Sequence, residues 1–353
     1  MSLRLAIVAG AAFGAAIGLG FWCVLPAVAL DTPPVKVVLD GRMTVRGIGG
    51  EGVLPIAASQ DWSHPLPNVT RVVIVVHGAH RNAESIFRSA AGLIPDDSTL
   101  VIAPQFLLEE DIAAHSLPDN VLRWRPGGWE IGDDAAAPVP VSSYDAIDTL
   151  LDNVADRSPL PNLRTVVLAG FSGGGWLAQR YAAVGRGGQA LAQRGVALRY
   201  IVSSPSSYVY FSADRPVSGG GFGPYAGVAA CPDYNLWPYG LVGKMPRYVM
   251  VAVAGGAAAV ERRYAGLDLA YLVGGADSDP NHWELDKSCA GEAEGPDRLA
   301  RATNFFAYMR ARDAAVLKQS FATAPGAGHD EKSVFGSPCG RAALFGDSSC
   351  PKN

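Results

Sequence analysis

Ser172 lies in the run Gly170-Phe171-Ser172-Gly173-Gly174, a G-x-S-x-G pattern. A serine hydroxyl is a weak nucleophile until a base takes its proton, so the pattern matters only where the fold lifts the hydroxyl clear of its surroundings. The flanks supply that setting. Val166-Val167-Leu168-Ala169 reads as a strand before the motif, and Trp176 to Tyr181 reads as a helix after it. A sharp strand-to-helix turn raises the side chain above the sheet, and small neighbours permit the tight backbone. The helix N-terminus then faces developing negative charge. In a chain with 41 glycines the bare pattern arises by chance, but both flanks together make it specific.

The segment resembles the nucleophile elbow of the α/β-hydrolase superfamily. That resemblance implies a triad in the order serine, acid, histidine, with the acid after a late strand and the histidine after the last one. Tyr271-Leu272-Val273 leads into Gly274-Gly275-Ala276-Asp277, similar to the family's strand-end acid. Phe321-Ala322-Thr323 leads into Pro325-Gly326-Ala327-Gly328-His329-Asp330, similar to its P-G-x-G-H loop. The likeness therefore assigns Ser172 as nucleophile, His329 as base and Asp277 as the acid that orients it. Asp279 is the fallback acid, and His282 stands nearby. Asp330 reads as the cap of a helix beginning near Glu331, and His64 and His115 as residues of solvated turns.

Ile74-Val75-Val76 ends in His77-Gly78-Ala79-His80, where the family supplies one oxyanion N–H. The other comes from the residue after the nucleophile, so the resemblance predicts the backbone amides of Ala79 and Gly173 as donors. The loop departs from the longer glycine-rich form of many esterases, which alters the geometry offered to bulky alcohol groups. His80 and Arg81 are candidate substrate contacts there, with solvation of an exposed loop as the competing reading.

The elements that must hold these residues follow from short β-rich runs. Val72–Val76, Leu100–Ala103, Thr165–Ala169, Leu198–Val202, Leu269–Val273 and Gln319–Ala322 are mostly apolar on both faces, as buried parallel strands require. Helical patterns fall between them. Ser142 or Ser143 with Asp145 caps one through Val154, and Arg298–Arg312 carries another. Val37–Leu39, Thr44–Arg46 and Val53–Ala57 suggest an N-terminal antiparallel edge. The expected fold class is α/β, with a mostly parallel central sheet flanked by helices. Residues 205–247 break the alternation and read as a lid-like insertion or a loop pinned by Cys231. Its aromatics Tyr208, Tyr210, Tyr234, Trp237 and Tyr239 suggest an apolar pocket, with Tyr208 and Trp237 as substrate contacts, although core anchoring explains them too. Leu117–Pro140, with Trp124 and Trp129, is a second irregular stretch that can border the same cleft.

The chain has 353 residues, 49% hydrophobic and 18% charged, enough for one large core with an insertion. A formal net charge of −4 without a basic run gives no footprint for nucleic acid. Residues 1–29 read as a signal peptide ending in Ala27-Val28-Ala29, or as an uncleaved membrane anchor, leaving 30–353 as the hydrolase domain. An exported, secreted or periplasmic protein follows, membrane-bound only if the segment is retained. Outside that segment Cys231, Cys289, Cys339 and Cys350 allow two disulfides in three pairings. The short loop between Cys339 and Cys350 favours that pair and Cys231 with Cys289. No metal-ligand spacing, dinucleotide fingerprint or P-loop appears, so no cofactor is expected.

The family likeness covers about Arg71 to Phe345. Pro205-Ser206-Ser207-Tyr208, Asp277-Ser278-Asp279-Pro280 with Cys289, and Cys339-Gly340-Arg341 look like an esterase-like branch of secreted hydrolases. That branch is distantly similar to polyester depolymerases and feruloyl esterases. The resemblance implies hydrolysis of a small or polymeric carboxylic ester through an acyl-enzyme. An acyltransferase or amidase would use the same triad, and a non-catalytic binding protein on this fold would be expected to lack one of its members.

Overall fold

The computed structural model describes residues 33–156 and 158–350, so residues 1–29, expected to be a signal peptide or membrane anchor, lie outside the described residues. Twelve strands occur among the described residues. β1 (Gly41–Gly47), β2 (Gly50–Ala58), β3 (Arg71–Val76) and β4 (Thr99–Pro104) come first, followed by a short pair, β5 (Leu107–Leu108) and β6 (Arg123–Trp124). β7 (Thr165–Phe171) and β8 (Ala197–Ser203) precede a second short pair, β9 (Asp214–Pro216) and β10 (Phe222–Pro224). β11 (Leu269–Gly274) and β12 (Gln319–Ala324) complete the set. Eight strands form one sheet in the order β1-β2-β4-β3-β7-β8-β11-β12. β1, β2 and β4 pair antiparallel in turn, and every later pairing is parallel.

Side chains of the central strands alternate between two cores, which is why their sequences read as unbroken apolar runs. Val72, Ile74, Val166, Leu168, Val202 and Tyr271 face one core, closed by the helices Ser143–Val154, Gly173–Val184 and Arg298–Asp313. Val73, Val75, Val167, Ala169, Ile201 and Leu272 face the other, closed by Ala83–Ala91, Glu331–Gly336 and Pro338–Leu344. Ser142 caps its helix as expected: its Oγ accepts from Tyr144 N, and Asp145 accepts from Ser142 N. Asp330 accepts from Ser333 N at 2.7 Å and so caps the helix after it.

Val37–Leu39 is not a strand. The Gln105 side chain takes the place of a ladder there, accepting from Leu39 N at 2.9 Å and donating to Val37 O at 3.0 Å. His115 is also not in a solvated turn. It ends the helix Glu109–His115, half-buried, with Nε2 2.6 Å from Val35 O. His64 is exposed beside Asp61. Cys231 bonds Cys289 and Cys339 bonds Cys350, which suits a chain that folds in an oxidising compartment. Among the described residues no helix is long and apolar enough to cross a membrane.

The segment after β8 is held both against the body of the protein and by contacts within itself. The Tyr208 ring stacks on Phe305 with centroids 4.7 Å apart, and Arg215 lies over Tyr210 at 4.2 Å while donating to Tyr234 O at 2.9 Å. Tyr208 and Tyr210 are fully buried.

Candidate active site

Ser172 sits between β7 and the helix Gly173–Val184 with φ 55° and ψ −117°, a conformation that costs a non-glycine residue on the order of 1–3 kcal/mol. Two glycines of the motif make that turn possible. A Cβ on Gly170 would lie 1.9 Å from Gly174 O, and one on Gly174 would lie 2.1 Å from Val76 O. Ser172 N donates to Ser203 O at 2.9 Å, which ties the turn to β8. The hydroxyl stays accessible above the sheet's C-terminal edge, the edge from which the β3, β11 and β12 loops also rise.

Those loops bring the other residues in. His329 Nε2 is 3.0 Å from Ser172 Oγ, and His329 Nδ1 is 2.9 Å from Asp277 Oδ2. An ionised carboxylate only accepts, so Nδ1 carries the proton and Nε2 is free to accept from the Ser172 hydroxyl. Asp277 lies just past β11, is 4% exposed, and its backbone carbonyl accepts from Leu299 N at 3.0 Å. Arg298, 1% exposed, lies 3.7 Å from its other carboxylate oxygen. Arg298 thus places a buried guanidinium behind the acid, on the side away from His329 Nδ1. Asp279 is exposed and accepts from Asn281 N, while His329 Nδ1 pairs with Asp277. The His282 ring is 5.2 Å from that of His329, edge to face, and makes no hydrogen bond to Ser172.

Ala79 N lies 2.9 Å from the point a Cβ on Gly173 would occupy, so the loop after β3 and the start of the helix meet beside the serine. His77 fixes that loop. Its Nε2 accepts from Phe106 N at 2.9 Å, so Nδ1 carries the proton and donates to Gly78 O at 2.9 Å. The ring is fully buried, and burial pushes its pKa down to about 4. The unfolded chain takes this proton near 6.5, so between pH 6.5 and 4 the unfolded state binds more protons. Stability should therefore fall as pH drops through that window, by about 3 kcal/mol from this group. In denaturant melts His77→Gln should be weaker at pH 7 yet lose less between pH 6.5 and 4. Equal slopes in the two proteins would refute the assignment.

Three expected substrate contacts are placed differently. Arg81 is 1% exposed, with Nε and Nη2 on Asp111 at 2.7 and 3.0 Å, so it anchors the loop instead of lining the cleft. Tyr208 is a core residue, as its stacking on Phe305 requires. Trp237 is 8% exposed and donates from Nε1 to Ile131 O at 3.2 Å, bracing the 129–131 turn from behind. His80 does reach the rim. Its Nε2 is 2.7 Å from Glu284 Oε1 and its ring is 5.5 Å from that of Trp283, whose indole is 65% exposed.

Glu130 was missed by the sequence, although the stretch around it stood out for its tryptophans. Its Oε1 lies 2.5 Å from where a Gly173 Cβ would be, beside the Ala79 amide. The side chain keeps some accessible surface yet lies deep in the protein, and burial pushes the carboxyl up to about 7.

Sheet order, the strand-turn-helix at Ser172 and the placement of Asp277 and His329 at strand ends together form one known pattern. The chain has the α/β-hydrolase fold. It is similar to poly(aspartic acid) hydrolase-1 from Sphingomonas sp. KT-1, with a TM-score of 0.57 and 20% identity over 86% of this chain and 96% of that one. It is also similar to a poly(3-hydroxybutyrate) depolymerase from Bordetella parapertussis, with a TM-score of 0.60 and 17% identity over 88% and 92%. No protein-family model matches the sequence, nor does any curated protein sequence. In this fold Ser172 follows β7, Asp277 follows β11 and His329 lies in the loop after β12, joined by the hydrogen bonds described above.

Proposed function

We propose that this protein is a serine hydrolase that cleaves carboxylic esters through an acyl-enzyme. The observation that carries the reading is the unbroken relay from Ser172 Oγ through His329 to Asp277, at 3.0 and 2.9 Å, with the serine held at φ 55°. As Ser172 attacks the ester carbonyl, His329 Nε2 takes its proton. The carbonyl oxygen becomes an oxyanion that the amides of Ala79 and Gly173 stabilise. Collapse of the tetrahedral intermediate expels the alcohol, which receives the proton from His329. Water then attacks the acyl-enzyme with His329 again as base, and Ser172 leaves with the proton restored. Asp277 holds the Nδ1–H tautomer and stabilises the imidazolium, with Arg298 behind it.

The substrates named for the two structural neighbours, a polyester and poly(aspartic acid), support a panel that includes polymers and amides beside small esters, since one triad serves all of them. Two disulfides support a substrate met outside the cytoplasm. The reading is tested by treating the purified protein with a fluorophosphonate and locating the adduct by peptide mass spectrometry. A single adduct on Ser172, absent in Ser172→Ala, is expected. No adduct on demonstrably folded protein would point to a binding protein instead.

A further inference from the structure

Building on the acyl-transfer reading, we propose that Glu130 forms a third side of the oxyanion pocket, donating a hydrogen bond to the oxyanion when protonated and silencing the site when ionised. The geometry is local and specific. Glu130 Oε1 and Ala79 N lie 2.5 and 2.9 Å from one point, the place of a Gly173 Cβ, so the carboxyl and both donor residues converge there. The backbone carrying Glu130 is held from three directions. Tyr144 donates its hydroxyl to Glu130 O at 3.3 Å, Trp237 donates to Ile131 O, and the Trp129 ring stacks on Phe106 at 5.3 Å. The carboxyl is therefore presented by a rigid turn and is not a loose surface acid.

Its surroundings determine which form it takes. Arg180 from the helix Gly173–Val184 and Arg81 from the loop after β3 favour the anion, whereas Asp286 and burial oppose it, and burial is the largest influence. Both arginines are held by other groups. Arg81 is engaged with Asp111, and Arg180 donates to Pro238 O, to Ser207 and over the Trp176 ring. Tyr144 approaches from the helix Ser143–Val154, with burial holding its hydroxyl in the neutral form. A neutral carboxyl offers one O–H donor to an incoming oxyanion, whereas the carboxylate offers only acceptors and repels it. No proton changes hands in this role: Glu130 keeps its proton while donating the hydrogen bond.

The test is kcat/KM for 4-nitrophenyl acetate from pH 5 to 9 in the wild type and in Glu130→Gln, with fluorophosphonate labelling of Ser172 in both. The wild type should lose activity about tenfold per pH unit above pH 7. Glu130→Gln, with a weaker donor and no titration, should be several-fold slower at pH 6, lack the descending limb, and overtake the wild type at high pH. An unchanged limb, or a uniform loss with the profile kept, overturns the proposal while labelled Ser172 keeps the hydrolase reading. Absent labelling in folded wild type removes both. If the variant does not fold, the carboxyls of 13C-glutamate-labelled wild type are titrated by NMR, free and with phenylboronic acid, which forms an anionic tetrahedral adduct on an activated serine. One glutamate midpoint near 7 should rise by about one unit or more, because the new anion disfavours a second. No midpoint moving on boronate binding overturns the role.

Discussion

Ser172→Ala is expected to fold as the wild type does and to hydrolyse esters about 10⁴- to 10⁶-fold more slowly. The size follows from the relay. His329 Nε2 has its hydrogen bond to Ser172 Oγ and, among the described residues, no other nucleophile within its reach. Removing that oxygen leaves the base with only water to activate, and the donors at Ala79 and Gly173 then sustain a small residual rate. Folding is little affected, because the hydroxyl is partly accessible and makes this one side-chain bond. The backbone conformation gives a second reading of the same position. At φ 55° an alanine is as strained as the serine, whereas a glycine is not. Ser172→Gly should therefore be as inactive as Ser172→Ala but more stable, by about 1 kcal/mol after the glycine's extra unfolded-state entropy is subtracted. The measurement is a pair of denaturant melts with kcat/KM on one ester. Wild-type activity in purified Ser172→Ala would reject the nucleophile, and a less stable glycine variant would show that the turn is not strained.

The parts legible in the sequence are those whose cause is local. The nucleophile turn is legible because its glycines answer to backbone contacts a few residues away, at Gly174 O for Gly170. The parallel strands are legible because both faces are buried, so each reads as a continuous apolar run. Asp277 and His329 carry no local signature strong enough alone; their order relative to a recognised turn identified them. The residues that went unread owe their place to contacts distant in sequence. Glu130 meets Gly173 only because the 129–131 turn is braced by Tyr144 and Trp237. Arg298 looks like the first residue of a surface helix, yet it is buried against Asp277. Gln105 supplants a strand ladder at residues 37–39, which no period in that segment can reveal. Tyr208 fell in an aperiodic stretch, where composition does not separate a pocket aromatic from one stacked in the core.

His329→Ala should approach the loss seen for Ser172→Ala, while His282→Ala should change kcat/KM by no more than about threefold. The two rings are only 5.2 Å apart, so proximity to the serine loop does not by itself choose between them. Hydrogen bonding does. His329 spans Ser172 and Asp277 with its two nitrogens, the arrangement a base needs to accept a proton and keep the resulting charge stabilised. His282 spends Nδ1 on Glu284 N at 3.3 Å and meets neither the serine nor the acid. Burial, with Arg298 nearby, also holds its pKa below the ordinary histidine value, so at neutral pH it contributes no charge beside His329. Replacing His329 has a structural consequence that replacing His282 lacks: Asp277 Oδ2 loses its donor while remaining 3% exposed beside Arg298. An unsatisfied buried carboxylate costs about 1–3 kcal/mol, so His329→Ala should also melt lower. His282→Ala matching His329→Ala in activity would mean that the proton leaves Ser172 through the outer ring, and the base would have to be reassigned.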